Sequence, residues 1–347
     1  MDKYFYFDDI FEDYTKYSLK ISKNLYLKSG LYPIIDQGKE EIAGYSDKNI
    51  NIFDKIPVII FGDHTRIFKY VDYPFFSGAD GVKILKNTSS LFLDKYLYYS
   101  LKNFKIPNTG YNRHFKWLKD FKIKYISLAK QEKIVSLIEK IKYFILKKKE
   151  QLKYLKKLNK SLFTTMFGDI KTNDKNWEII KLEKYINIIG GYAFKNTDFK
   201  SKGIPLIRIG NINSGHFKNT NLVFIEENQK LEKFKVFPND IIISLTGTVG
   251  KDDYGNVCIL GDSYSEYYLN QRNAKLVLTD KIDKNFFLEI IKIKEVKKQL
   301  TGVSRGIRQA NISNRDIYNL SFPLPPIELQ NKFAKRVEKI EKLSFNF

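Results

Sequence analysis

The sequence predicts an α+β fold in which two similar halves are separated by a long helix of coiled-coil character. Three observations predict it. The chain nearly repeats itself, one stretch carries an uninterrupted heptad seam, and each half reads as short β-rich runs bounded by Gly, Pro and Asn with one helix near its end.

The seam lies at Gln131–Met166, "QEKIVSLIEKIKYFILKKKEQLKYLKKLNKSLFTTM". Ile134, Ile138, Ile141, Ile145, Lys148, Leu152, Leu155, Asn159, Leu162 and Met166 alternate four and three apart, the spacing of one helix packing along another at a shallow angle. No Gly or Pro interrupts it, and Gly168 stands where a helix C-terminus is expected. At 1.5 Å per residue the helix would be about 50 Å long. Lys148 and Asn159 break the apolar seam; such polar breaks set register in a coiled coil, or mark a wet gap or a bend.

The repetition has four parts in one order. "LQNKFAKRVEKIEKL" from Leu329 restates "KQEKIVSLIEKIKYF" from Lys130, and "NQRNAKLVLTDKIDKNFFLEIIK" from Asn270 resembles "SGADGVKILKNTSSLFLDKYLYYSLK" from Ser77. "FPNDIIISLTGTVGK" from Phe237 matches "IFDKIPVIIFGDHTRIFK" from Ile52, and "GIPLIRIGNI" from Gly203 matches "GLYPIIDQGK" from Gly30. The expected boundaries are a first domain over 1–128, the long helix over 129–168, a second domain over 169–326 and a second, short helix over 327–347.

Composition narrows the function. A length of 347 residues suits about two domains. The formal charge of +21 points to a polyanionic partner, most simply nucleic acid. A low-GC genome would also inflate Lys, so the rarer Arg is the more informative base. The lone Cys258 forms no internal disulfide, which suits a cytosolic protein. His64, His114 and His216 lack ligand spacing, so no zinc site is expected. The acidic, aromatic start "MDKYFYFDDIFEDY" is no signal peptide, and no apolar run approaches a membrane span.

"SLTGTVGKDD" at Ser244–Asp253 invites a P-loop reading and fails it. Gly247 and Gly250 enclose two residues rather than four, and Asp252 replaces the metal-binding hydroxyl. An amino-methyltransferase would need an Asn/Asp-Pro-Pro-aromatic motif, and "LPPIE" lacks both its ends. Asp240 with Lys251 is the nearest approach to a nuclease set, without a convincing second acid.

The order of "NWEIIKLEKYINIIGGYAF", "GIPLIRIGNI", "NDIIISLTGTVGK", "GIRQANISNRDIYNLSFPLPPIELQ" and the helix ending "LNKSLFTTMFG" resembles the specificity subunit of type I DNA restriction–modification systems over nearly the whole chain. The resemblance implies two target-recognition domains separated by long antiparallel coiled-coil-like helices, each domain reading one part of a split double-stranded DNA target. It implies no catalytic residues and no cofactor in this chain. S-adenosylmethionine is expected on partner adenine-methyltransferase subunits, and ATP and magnesium on a motor–nuclease subunit. The second helix ends at Phe347, well short of the first, which leaves a partly unpaired spacer, a truncated gene or a bundle completed by a partner.

Residue chemistry suggests where DNA would be met. Arg305, Arg308, Gln309 and Asn311 lie in a glycine-punctuated polar loop; Arg pairs bidentately with guanine, and Gln or Asn with adenine. The counterpart loop in the first half offers Tyr111, Asn112, Arg113 and His114. Thr248 and Lys251 are phosphate or base-edge donors on a loop that is otherwise a simple strand connection. Asn270, Gln271 and Arg272 form a third set that would equally cap the following strand. Arg208 and Asn211 follow, with Arg66, Gln37 and His64 of lower rank. The competing readings are a stand-alone DNA methyltransferase or nuclease, and a non-specific nucleic-acid-binding protein.

Overall fold

The computed structural model describes residues 3–78, 81–251, 253–302 and 309–345. The architecture is mixed α+β, with a sheet-rich region on either side, in chain order, of one long helix, Leu128–Phe167. Two compact units are formed, Met1–Lys148 and Lys149–Phe347.

In the first unit an antiparallel sheet has the order Phe11–Asp13, Val82–Asn87, Val58–Gly62, Phe68–Val71. A second sheet places Gly44–Ser46 beside Tyr32–Ile35, which pairs in parallel with Phe76–Ser77. Tyr4–Tyr6 pairs with Lys122–Lys124. The second unit repeats each part. Its main sheet runs Ile186–Gly190, Asn273–Leu278, Ile241–Ser244, Val257–Ile259. Its second sheet places Val223–Ile225 beside Ile204–Ile207, which pairs in parallel with Tyr267–Leu269. Glu178–Lys181 pairs with Ser321–Leu324. The duplication read from the sequence is therefore present as matching orders in the main sheets and a parallel strand pair at the same place in each second sheet, to which the second unit adds Lys235–Val236 beside Tyr267–Leu269.

The runs "VIIFG" and "IIIS" read as continuous apolar segments because both faces of these central strands are covered. In the first unit Ile59 and Phe61 pack with Leu97 and Leu101 of the helix Asp94–Asn103, while Val58 and Ile60 face Ile35 and Phe75. In the second, Ile241 and Ile243 meet Phe286, Phe287 and Ile290 of the helix Lys284–Ile290. Ile242 turns the other way, onto Ile207, Tyr267 and Leu269. Period-two alternation thus feeds two cores from one strand.

A buried glutamine fixes each unit's helix to its sheet. Gln131 Nε2 donates to the carbonyls of Leu91 and Ile126, each at 2.8 Å, and its Oε1 accepts from Leu93 N at 2.9 Å. Gln330 does the same with Lys281 O at 3.3 Å, Pro325 O at 2.7 Å and Asp283 N at 2.9 Å. Both side chains are fully buried. In each case the amide ties the first turn of one helix to the residue that opens the helix lying on the sheet, Leu93 or Asp283.

The long helix stops at Gly168, whose φ of +81° suits a residue without Cβ. Its heptad seam is not covered along its length. Ile134, Ile141, Ile145 and Leu152 are 39–49% exposed, whereas Phe163 and Phe167 are buried. The closing helix, Ile327–Phe345, meets the end of the long helix through aromatic rings. Phe333 lies 5.6 Å from Phe163 and 5.2 Å from Phe167, and Phe286 completes the cluster at 5.6 and 4.9 Å. Further along, Gln151 Nε2 reaches Leu343 O at 3.5 Å. In the first unit the long helix is held by polar contacts. Lys142 Nζ donates to the Tyr99 hydroxyl at 2.7 Å, and Tyr99 donates to Glu139. Burial, followed by the Glu139 carboxylate, raises the Tyr99 pKa and keeps the phenol protonated.

Replacing Gln330 by Ala should lower the stability of its unit by about 2–4 kcal/mol, because one buried N–H and two carbonyls lose their partner. Gln330→Glu should not rescue it, since a carboxylate donates nothing to carbonyls. Urea unfolding followed through Trp177 reads this unit and Trp117 reads the other; a loss below about 0.5 kcal/mol would refute the latch.

Candidate nucleic-acid interface

The predicted segments of each unit converge on one backbone junction. In the second unit Leu245, just past the central strand, accepts from Ile312 N at 2.8 Å and donates to Arg272 O at 2.9 Å. In the first, Asp63 in the same place accepts from His114 N at 2.9 Å and donates to Gly81 O at 2.7 Å. The loop 108–114 and the segment leading to Ile312 are therefore equivalent in space, as the sequence pairing expected.

Around Leu245 the polar groups collect. Thr246–Thr248 forms a short antiparallel pair with Gln309–Asn311, Thr248 opposite Gln309. Asn270 N donates to Ile207 O at 3.1 Å, and buried Asn273 Nδ2 reaches the same carbonyl at 3.1 Å. Thr248, Lys251, Gln271, Arg272 and Asn311 are exposed on this edge, with Asn270 half-buried. Arg305 and Arg308 lie outside the described residues.

The glycines of "SLTGTVGKDD" are now accounted for. Gly250 takes a φ of +77°, and a Cβ there would meet nothing within 4 Å. Gly247 has the opposite problem, because a Cβ would lie 2.4 Å from Asp253 Oδ1 and 2.8 Å from Tyr254 Cβ. Asp253 is the missed partner of this loop. Its carboxylate accepts from Thr248 N at 2.8 Å and from Thr248 Oγ1 at 3.0 Å. The backbone bond, first, holds its pKa below the usual 3.8, against a smaller opposing effect of burial. Thr248 thus uses its own hydroxyl hydrogen internally and offers an outward partner its oxygen lone pairs.

Two predicted contacts prove to be buried structural groups. Asn211 is 3% exposed; its Oδ1 accepts from Arg208 N at 3.0 Å, and its Nδ2 donates to Lys218 O at 2.9 Å and Thr220 O at 3.1 Å. His114 is 0% exposed, with Nδ1 2.9 Å from Asp63 O and Nε2 3.3 Å from Thr109 Oγ1. Neither side chain has surface to offer a base. Arg208 is half-buried, with one guanidinium nitrogen spent on Asn221 O at 2.8 Å.

The first unit brings together Gln37, His64 and Tyr111, with Arg66 two residues on from His64 and Asn112 and Arg113 directly after Tyr111. Gln37 Oε1 accepts from His64 N at 3.2 Å and Gln37 O from Thr65 Oγ1 at 2.6 Å. The His64 and Tyr111 rings stack at 4.7 Å with 11° between planes. Arg66 sits at a φ of +60° in the tight turn. Tyr111, Asn112 and Arg113 are exposed. Asp63, which sequence reasoning passed over, anchors this loop: its buried Oδ1 accepts from His114 N and Phe115 N, both at 2.7 Å. The only signal for it was an acid at the end of an apolar strand.

Among the described residues no group of three or more His, Cys, Asp or Glu side chains is placed to hold a metal ion, and no helix is long and apolar enough to cross a membrane.

Residues 174–346 match the family model described as the type I restriction modification DNA specificity domain. The chain is 25% identical over 283 residues to the type I restriction enzyme MjaVIII specificity subunit of Methanocaldococcus jannaschii, covering 75% of this chain and 66% of that protein. It is 22% identical over 351 residues to the EcoR124I/EcoR124II specificity subunit of Escherichia coli, covering 96% of this chain and 85% of the relative. Against the EcoBI and EcoKI specificity subunits the match spans 36% of the relative's length, so the chain spans a third to two thirds of the first curated relatives it matches. The crystal structure of a type I restriction–modification S subunit from M. genitalium shares the fold, with a TM-score of 0.64 at 18% identity over 99% of this chain and 90% of that one.

An NMR titration of Asp253 should give a midpoint below 3.8, so the loop tie is complete at neutral pH and is lost only as pH falls through that lowered value. Thr248→Ala should move the midpoint up without abolishing the depression, because the amide donor remains. An unshifted midpoint in the wild type would contradict the tie.

Proposed function

Because this chain belongs to the family of type I restriction–modification specificity subunits, we propose that it is a non-catalytic DNA-recognition subunit reading a bipartite duplex target. The observation that carries this is the repeated junction. Two equivalent frames, at Asp63 and Leu245, present different exposed polar loops on a chain of formal charge +21. Lysines supply sequence-independent attraction to phosphates, while Arg, Gln and Asn at the loop tips read base edges.

The contact set is Arg113, Asn112, Tyr111 and Arg66 in the first unit. In the second it is Thr248, Lys251, Asn270, Gln271, Arg272, Gln309 and Asn311, with Arg305 and Arg308. Buried Asn211 and His114 shape the loops instead of touching DNA, and Arg208 belongs with them. The domain limits are those read from the sequence, 1–128, 129–168, 169–326 and 327–347. The long and closing helices act together as an antiparallel spacer, a reading supported by Gln151 meeting Leu343 while Phe163 and Phe167 meet Phe333.

The partners are adenine-methyltransferase subunits carrying S-adenosylmethionine, and a motor–nuclease subunit using ATP and magnesium. The site of action is the cytoplasm. The exposed apolar residues of the mid-helix, Leu137, Ile141, Phe144 and Ile145, are the surface such a methyltransferase would cover.

Methylation mapped in cells that carry the gene should show modified adenines in a split sequence, and deletion should remove them all; unchanged methylation would overturn the function. In the reconstituted complex, Arg272→Ala or Arg308→Ala should relax one half-site by about 1–3 kcal/mol and leave the other intact.

A further inference from the structure

We infer that Tyr111, held flat against His64, is the specificity-determining probe of the first unit, and that it reads the 5-methyl group of a thymine in one A·T pair. This rests on the proposed role in DNA recognition and goes beyond it, since it assigns a base and a mode of contact to one side chain.

Tyr111 is 86% exposed, the most exposed of the large apolar side chains in the described residues. Such a ring on a polar loop would ordinarily sample several rotamers. Here it lies on His64, with ring centroids 4.7 Å apart and 11° between planes. The support beneath is fixed in turn. His64 N is bound by Gln37 Oε1, and the neighbouring Asp63 grips His114 N and Phe115 N, which close the Tyr111 loop. His114 is locked between Asp63 and Thr109, and Asn112 Nδ2 donates to Thr109 O. The ring therefore rests in part against His64, and most of its surface stands in solvent on an ordered mount. A rigid tyrosine offers contact area at low cost in conformational entropy.

The chemistry of the partner follows from what such a ring lacks. It carries no charge and only one hydroxyl, so it gains little from a phosphate. On a B-DNA major-groove edge the one apolar group is the thymine methyl. Arg66 and Arg113 each stand two residues from one of the stacked rings, so polar contacts are available beside the apolar one. Among the described residues no stacked ring pair occupies the second junction, where Leu245 replaces Asp63, Ile312 replaces His114, and the paired segments are Thr246–Thr248 and Gln309–Asn311. The first half-site is read partly by apolar contact and the second by polar groups.

The test uses the full chain with its methyltransferase partner on a randomised duplex library, the first half-site being the one that Arg272→Ala leaves intact. Tyr111→Ala should lower discrimination by about tenfold at a single A·T pair of that half-site, the scale of losing one methyl contact, and Tyr111→Phe should keep it. His64→Ala should weaken the same position. Replacing that thymine by uracil should reproduce the loss in the wild type and add nothing in Tyr111→Ala. The inference is overturned if no position changes by more than about twofold, if the affected pair is G·C, if uracil is tolerated, or if both half-sites fall together, which would mark a folding effect. A wild-type complex with no bipartite preference would overturn the functional reading itself, and this inference with it.

Discussion

A single buried primary amide in each unit decides where the helix scaffold meets the sheets. Gln131 and Gln330 each bridge two carbonyls and one N–H that would otherwise be shut from water unpaired. Leaving such groups unmet is costlier than making the bonds is favourable, so the amide acts as a constraint on geometry more than as a source of stability. With it in place, the helix beginning at Asp94 or Lys284 lies across its central strand, and the strand's end is fixed in turn. The loops that leave that end inherit their positions.

The same frame carries different chemistry at its two tips. At the first, a carboxylate and two imidazoles tie the loop and mount an exposed tyrosine. At the second, aliphatic Leu245 and Ile312 use only backbone bonds, and the order comes from a short strand pair and the Asp253–Thr248 tie. One solution is a polar knot, the other a scrap of sheet. Both present exposed side chains from strand ends and turns.

Much of this organisation was legible in the sequence. The duplication showed because matching apolar runs, glycines and helix starts recur in order in both halves. The long helix showed because its spacing runs from Ile134 to Met166 without a breaker. Its covering did not, since a heptad pattern states which face is apolar and not what lies on it; Ile141 and Ile145 stand half in solvent. The loops at Thr248 and Arg272 stood out as polar segments flanking strands. The roles of Asn211 and His114 were invisible, because a side chain that closes a loop from within has the composition of one that reads a base. Asp63 and the Gln131 latch were missed for the converse reason: their partners are backbone atoms, which every residue carries.

The reliance of the second tip on main-chain bonds at Leu245 has an evolutionary consequence. Leu245 is joined to Arg272 and Ile312 through N–H and C=O groups, so the exposed Gln271 and Arg272 side chains can change without withdrawing those two bonds. Foldedness and vocabulary are thereby separated. Residues at the tip can therefore be exchanged one at a time, each intermediate remaining a sound molecule.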